Sequence, residues 1–193
     1  MSSHDLAVLV SGTGRSLENL FRVIDAGELS ARVRLVLSDR PGVRALEIAE
    51  QRGVPTRVVR PRDHDGPPDF SRAVFEAIET HDCGTVVLAG FLRLLPIPPA
   101  WSGRVLNIHP SLLPKHGGKG YYGDRVHAAV LEAGDATSGC TVHYVDDVYD
   151  NGPPILQVEV PVEPGDDVRS LAARVFEAEC RALPEAIRRH LGG

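Results

Sequence analysis

Short apolar runs, each halted abruptly by glycine, serine or proline, recur along this chain and restrict it to one broad architecture. Leu6 to Val10 reads Leu-Ala-Val-Leu-Val and runs straight into Ser11-Gly12-Thr13-Gly14. Thr85 to Ala89 stops at Gly90, and Val105 to His109 stops at Pro110. Such runs fit strands buried on both faces, as in a parallel sheet. Arg34 to Ser38 and Thr56 to Val59 read as two more strands. Between them the period changes to that of helices. Ser16 to Ala26 sets Leu17, Leu20, Phe21 and Ile24 on one face before Gly27, and Val43 to Arg52 follows Pro41-Gly42. Arg60 to Pro68 reads as a polar, proline-rich loop, then Asp69 to His81 aligns Phe70, Val74, Phe75 and Ile78. The alternation predicts an α/β fold: a Rossmann-like, mostly parallel sheet with helices on both faces. From Cys140 the pattern shifts. Cys140 to Val145 and Ile155 to Val160 leave no room for a helix between them and are expected to pair as an antiparallel C-terminal hairpin. Asp166 to His190 closes the chain as a helix that Pro184 is expected to kink or split.

A length of 193 residues suits a single domain. The balance of 21 basic against 26 acidic residues, a net charge of -5, weighs against a broad nucleic-acid surface, which needs a clustered basic excess. Cys83, Cys140 and Cys180 lie far apart with no CxxC pair, so neither structural zinc nor a disulfide framework is expected, and a reducing cytoplasm is. The polar start, Met1 to Asp5, does not read as a leader. No apolar stretch approaches the roughly 18 residues of a membrane span.

Ligands of open α/β sheets sit outside the carboxyl ends of the strands. Three segments fall there: Ser11 to Ser16, Gly90 to Leu95, and Asn107 onward. The first, Gly12-Thr13-Gly14-Arg15-Ser16-Leu17, presents backbone N–H groups at a helix start, a seat for an anion. It departs from the dinucleotide pattern, because Leu17 stands where a third glycine permits close helix packing. A phosphate site, a dinucleotide site with Asp39 as ribose acid, and a plain helix-starting turn all remain open from the residues alone. Asn107 and His109 are two apart in a strand and so share a face. An amide donor beside a titratable imidazole suits stabilisation of an oxyanion with proton transfer, and equally suits a buried polar pair. No nucleophile elbow or activated thiol accompanies them. His116, His127 and His143 have no metal-ligand spacing, and His127 reads as a surface or satisfied residue. The loop Asp146-Asp147-Val148-Tyr149-Asp150 reads as a solvated turn, or as the source of a carboxylate that raises the pKa of His109.

Taken in order, Val8 to Leu17, Val86 to Leu95, Leu106 to Lys115 (Leu-Asn-Ile-His-Pro-Ser-Leu-Leu-Pro-Lys) and Gly139 to Gln157 resemble the glycinamide ribonucleotide formyltransferases, over nearly the whole chain. The resemblance implies a formyltransferase fold, with a phosphate-binding half about residues 1–100 and a catalytic, folate-binding half about 101–193. It implies catalysis by Asn107 and His109, with Asp150 as the carboxylate that keeps His109 a charged acid. Gly14, Arg15, Ser16 and Leu17 would hold a ribonucleotide phosphate, and Glu179 would lie near the ribose. Leu92, Arg93, Leu94 and Leu95, with Asn107, Asp146, Asp147, Val148 and Asp150, would surround 10-formyltetrahydrofolate, the co-substrate. No metal, nucleic acid or membrane is implied, and the chain would act as a monomer or homodimer on small molecules in the cytoplasm. Three features depart from the family pattern: Thr13 and Arg15-Ser16 in the turn, the longer stretch Gly117 to Gly123, and prolines Pro67 and Pro68 where some members carry a basic loop.

Overall fold

The computed structural model describes residues 4–192; Met1 to Ser3, part of the start read as carrying no leader, lie outside them. Its strands are β1 His4–Val10, β2 Ala31–Ser38, β3 Thr56–Val58, β4 Thr85–Leu88, β5 Val105–His109, β6 Thr137–Tyr144 and β7 Pro154–Pro161. Its α-helices are α1 Arg15–Asp25, α2 Arg44–Gln51, α3 Pro67–Glu79, α4 Asp124–Glu132 and α5 Val168–Gly192. The seven strands form one sheet in the order β3-β2-β1-β4-β5-β6-β7. β1 pairs parallel with both β2 and β4, and β2 pairs parallel with β3. β6 and β7 pair antiparallel, as expected of the C-terminal hairpin. The chain divides into two compact units after Leu106.

In the first unit, Leu6 to Val10 are wholly buried, as are Val86 and Val87 beside them. Burial of each such side chain contributes about 1.5–3 kcal/mol, which is why these strands tolerate no polar alternation. β1 and β2 both begin earlier than the apolar runs suggest. Asp5 sits opposite Arg32 in the ladder, and their ion pair at 2.9 Å extends the pairing into polar sequence. The residues expected to form a loop from Arg60 to Pro68 instead contain a single 3-10 turn, Pro61–Asp63, and the start of α3. Pro67 and Pro68 occupy the first helical positions, where a missing N–H costs nothing and the fixed φ suits the helix. In the second unit α5 runs unbroken through Pro184. Leu171, Val175, Ala178, Ala186 and Ile187 are all buried along it, and this packing offsets the hydrogen bond that proline removes.

Gly14 fixes how α1 leaves β1. It adopts φ +77°, and a Cβ there would lie 2.8 Å from both the Cα and Cβ of Ala45 on α2. Gly27 has a similar φ of +72° but open space around it. Gly14→Ala is therefore expected to destabilise by roughly 2–4 kcal/mol, from left-handed strain plus a backbone clash, and Gly27→Ala by about 1 kcal/mol. Denaturant unfolding of the two variants checks this; equal losses would remove the contact with α2 from the account.

Candidate active site

β5 ends with Asn107 half-buried and His109 4% exposed. Both side chains meet Asp150, from the loop joining β6 to β7. Asn107 Nδ2 donates to Asp150 Oδ1 at 3.2 Å, and His109 Nδ1 lies 3.4 Å from Asp150 Oδ2. The same amide nitrogen donates to His143 Nε2 at 3.1 Å. That assigns the tautomer of His143, whose Nδ1–H must donate to the Tyr144 carbonyl at 2.8 Å. It also orients Asn107, because the flipped amide would set its oxygen against the carboxylate. The backbone N–H of Gly118 completes the set, donating to Asp150 Oδ2 at 2.9 Å.

Asp150 is thus a carboxylate in a buried pocket of donors. Burial pushes its pKa up, but the neighbouring imidazoles of His143 and His109 and the Gly118 N–H outweigh it, and the group stays below the usual carboxylate range. Its backbone is held at φ +53°. The neighbouring acids differ. Asp146 spends both oxygens on its own loop, accepting from Val148 N–H and Asn151 Nδ2, while Asp147 and Val148 are exposed.

The charge of Asp150 acts to raise the His109 pKa, as expected, but it is not the larger effect. Burial dominates and pulls its pKa below the ordinary value, although Asp150 and the His116 carbonyl both act to raise it. Its Nε2 faces the His116 carbonyl at 2.9 Å and so carries a proton, while Nδ1 faces Asp150 Oδ2 at 3.4 Å. Nδ1 is therefore where a proton would be taken up, and Asp150 stabilises the cation once it forms.

The turn after β5 is fixed by one hydroxyl. Thr141 Oγ1 donates to the Ser111 carbonyl at 2.7 Å and accepts from Leu113 N–H at 3.0 Å and Gln157 Nε2 at 2.9 Å. Ser111 Oγ in turn donates to the Lys115 carbonyl at 2.6 Å. His116 Nε2 meets Asp135 at 2.8 Å, which holds the carbonyl presented to His109. His143, the His116 carbonyl and Gly118 are members of this cluster that sequence reasoning passed over. Only His143 left a signal, a titratable side chain within the otherwise apolar β6. His127 is a further correction: it is 5% exposed, not a surface residue, and its Nδ1 has no hydrogen-bond partner among the described residues. Burial also lowers its pKa.

Among the described residues no group of three His, Cys, Asp or Glu side chains is placed to hold a metal. Burial pushes the thiols of Cys83 and Cys140 up to about 11 and about 12. Glu179 lies half-buried on α5, where its charge helps to raise Cys140.

In the first unit α1 starts at Gly14 with no side-chain cap. Arg15 and Ser16 are on its exposed side, and the Leu17 side chain is wholly buried. Arg44 braces this turn, donating to the Thr13 carbonyl at 3.1 Å while pairing with Glu18. In the segment after β4, Leu92 is 40% exposed, Leu94 half-buried and Leu95 buried. Leu92 N–H donates to Ser11 Oγ at 3.0 Å. Arg93 turns its Nε to Asp39 at 2.6 Å. Asp39 is fully enclosed; burial pushes its pKa up, but Arg40, Arg93 and Ser11 hold it below the usual range.

The family profile described as formyl transferase matches residues 4–187. The chain is 43% identical over 184 residues to the trifunctional purine biosynthetic protein adenosine-3 of Gallus gallus, covering 94% of this chain and 18% of that protein. The chain thus spans about a fifth of the length of that relative. It is 37% identical over 187 residues to phosphoribosylglycinamide formyltransferase of Escherichia coli K12, covering 95% of this chain and 85% of the relative. The crystal structure of glycinamide ribonucleotide transformylase 1 from Symbiobacterium toebii superposes with a TM-score of 0.90 at 36% identity, covering 99% of this chain and 89% of that one.

Two outcomes are expected. Asp150→Asn removes a charge that raises the His109 pKa, so the imidazole titration followed by NMR should move to still lower pH; an unmoved titration would detach Asp150 from His109. His109 and His127 both have folded pKa values below the unfolded value of about 6.5. Their contribution to stability is therefore full above about pH 6.5 and is lost as pH falls through the folded values. His127→Leu should narrow the gap in thermal midpoint between about pH 7.5 and about pH 5. An unchanged gap would contradict burial as the cause.

Proposed function

Because this chain belongs to the formyl transferase family, we propose that it transfers the formyl group of 10-formyltetrahydrofolate to the amine of glycinamide ribonucleotide. The observation that carries this reading is the ionised, buried Asp150 joined to Asn107 and His109 at the end of β5. The chain then acts as one formyltransferase domain on two small anionic substrates, without a metal, nucleic acid or membrane.

The amine lone pair forms a bond to the formyl carbon, and the carbonyl electrons move onto oxygen. Asn107 can turn an amide N–H to that oxyanion by giving up one of its two present acceptors, in a site where such a donor counts for more than in water. Neutral His109 takes the proton of the attacking amine at Nδ1, and Asp150 offsets the resulting charge. The proton then goes to the folate nitrogen as its bond to carbon breaks, leaving tetrahydrofolate and the formylated amide. His109 is thus a shuttle that is neutral at rest, not an acid held permanently charged. On this reading, Gly14 to Leu17 receive the ribonucleotide phosphate through backbone N–H groups at the start of α1, with Arg15 adding charge. Glu179 lies toward the ribose. Leu92 and Leu94 offer apolar surface to the pteridine, with backbone from Leu95 and from Asp146, Asp147 and Val148.

Purified protein mixed with both substrates and followed by folate absorbance tests the proposal. Turnover that depends on the ribonucleotide is expected; equal turnover with water alone would identify a hydrolase instead. His109→Ala is expected to lower kcat about 10²–10⁴-fold, the usual contribution of a positioned proton-transfer group.

A further inference from the structure

One short stretch of irregular backbone supplies a partner to both His109 and Asp150. His116 presents its carbonyl to His109 Nε2 at 2.9 Å, and Gly118 donates its N–H to Asp150 Oδ2 at 2.9 Å. Neither residue lies in a helix or strand. His116 is held at φ +51°, a left-handed conformation that a Cβ disfavours and that persists only where the surroundings enforce it. A Cβ on Gly117 would run into the Leu113 side chain and lie 3.4 Å from Asp150 Cβ, so this backbone passes directly against Asp150. With glycine at 117 and 118, the His116 ring is the only side chain by which residues 116–118 can be tied down. It is tied to Asp135. His116 Nε2 donates to Asp135 Oδ2 at 2.8 Å, and Lys115 Nζ donates to Oδ1 at 2.9 Å. These two hydrogen bonds hold the Asp135 carboxyl below the usual carboxylate range. Asp135 is itself fixed just past the end of α4, its N–H on the Val130 carbonyl at 3.3 Å, and Val126 and Val130 anchor that helix in the core.

The consequence falls on the tautomer of His109. An imidazole with one N–H can give it to the His116 carbonyl from Nε2 or to Asp150 from Nδ1. A carboxylate is ordinarily the stronger acceptor. Here it lies at 3.4 Å, and the carbonyl at 2.9 Å. We propose that Asp135 is a positioning residue for formyl transfer: through the His116 ring it fixes the His116 carbonyl against His109, keeping the imidazole proton on Nε2 and Nδ1 open to the reacting amine. This rests on the formyl-transfer reading, in which Nδ1 takes up the proton of that amine. Were the carbonyl to drift, the proton would settle on Nδ1 toward Asp150, and the nitrogen that the reaction needs would be blocked. Asp135 touches no reacting atom and acts only through His116.

The imidazole 15N spectrum of His109 above its titration, taken with kcat and the thermal midpoint, tests this in wild type, Asp135→Ala and Asp135→Asn. The His109 signals are assigned from the spectrum of His109→Ala. Wild type should show the Nε2–H tautomer. Asp135→Ala should raise the Nδ1–H tautomer and lower kcat about tenfold, the effect of one hydrogen bond, with the KM for the ribonucleotide unchanged. Its thermal midpoint should stay close to wild type, since the ion pairs of Asp135 are partly exposed. Asp135→Asn keeps an oxygen that can accept from His116, so it should restore both the tautomer and most of kcat. An unmoved tautomer in Asp135→Ala overturns the role of Asp135, as does a loss in Asp135→Asn as deep as in Asp135→Ala, which would assign the effect to charge. The spectra need no substrate, so the two failures separate. A wild type that shows the tautomer shift on substitution but no ribonucleotide-dependent turnover overturns the formyl-transfer reading instead.

Discussion

A carboxylate enclosed by protein must either take a proton or be surrounded by donors, and Asp150 is surrounded. Its two oxygens accept from the Asn107 amide and the Gly118 N–H, with the imidazoles of His109 and His143 at 3.4 and 3.8 Å. Removing a charge of this kind from water costs several kcal/mol, and only this degree of satisfaction keeps it ionised. The rest of the site follows from that one charge. It decides which way the Asn107 amide points, it leaves His143 to accept at Nε2, and it waits opposite the bare nitrogen of His109. Burial and this charge act oppositely on the His109 pKa, and burial is the larger effect.

Asp39 repeats the device in the other unit. It too is a buried carboxylate just past a strand end, kept ionised by fixed donors, and it too ties together segments distant in sequence. The difference lies in the excess. Asp150 meets amide and backbone donors and two imidazoles, whereas Asp39 meets two guanidiniums, which leave its site with a net positive charge.

Much of the fold was legible because burial on both faces leaves a plain record. The runs at Leu6, Thr85 and Val105 are strands for the reason that made them visible, and the change of period at Cys140 is the antiparallel hairpin. What misled were residues whose meaning depends on position. Pro67 and Pro68 look like loop formers but are the first turn of a helix, and Pro184 lies within a helix because tertiary packing outweighs one lost hydrogen bond. At the site, strand periodicity put Asn107 and His109 on one face. It could not supply the partners, because His143, the His116 carbonyl and Gly118 arrive from other segments, two of them through backbone atoms that any residue would provide. Nor could it weigh desolvation against a nearby charge, and at His109 burial is the larger of the two. His127 was misplaced for a similar reason, since its burial depends on what packs over α4.

The amide of Asn107 also bears on how the molecule ages. Hydrolysis of an asparagine side chain replaces NH2 by oxygen and alters almost nothing in shape. Here it would set a second carboxylate 3.2 Å from the first and withdraw the donor that meets His143. Two such groups cannot both remain ionised, so one would hold a proton and Asp150 would no longer be a dependable anion. Exchanging one group for another of the same shape would thus dismantle the donor set that keeps Asp150 ionised.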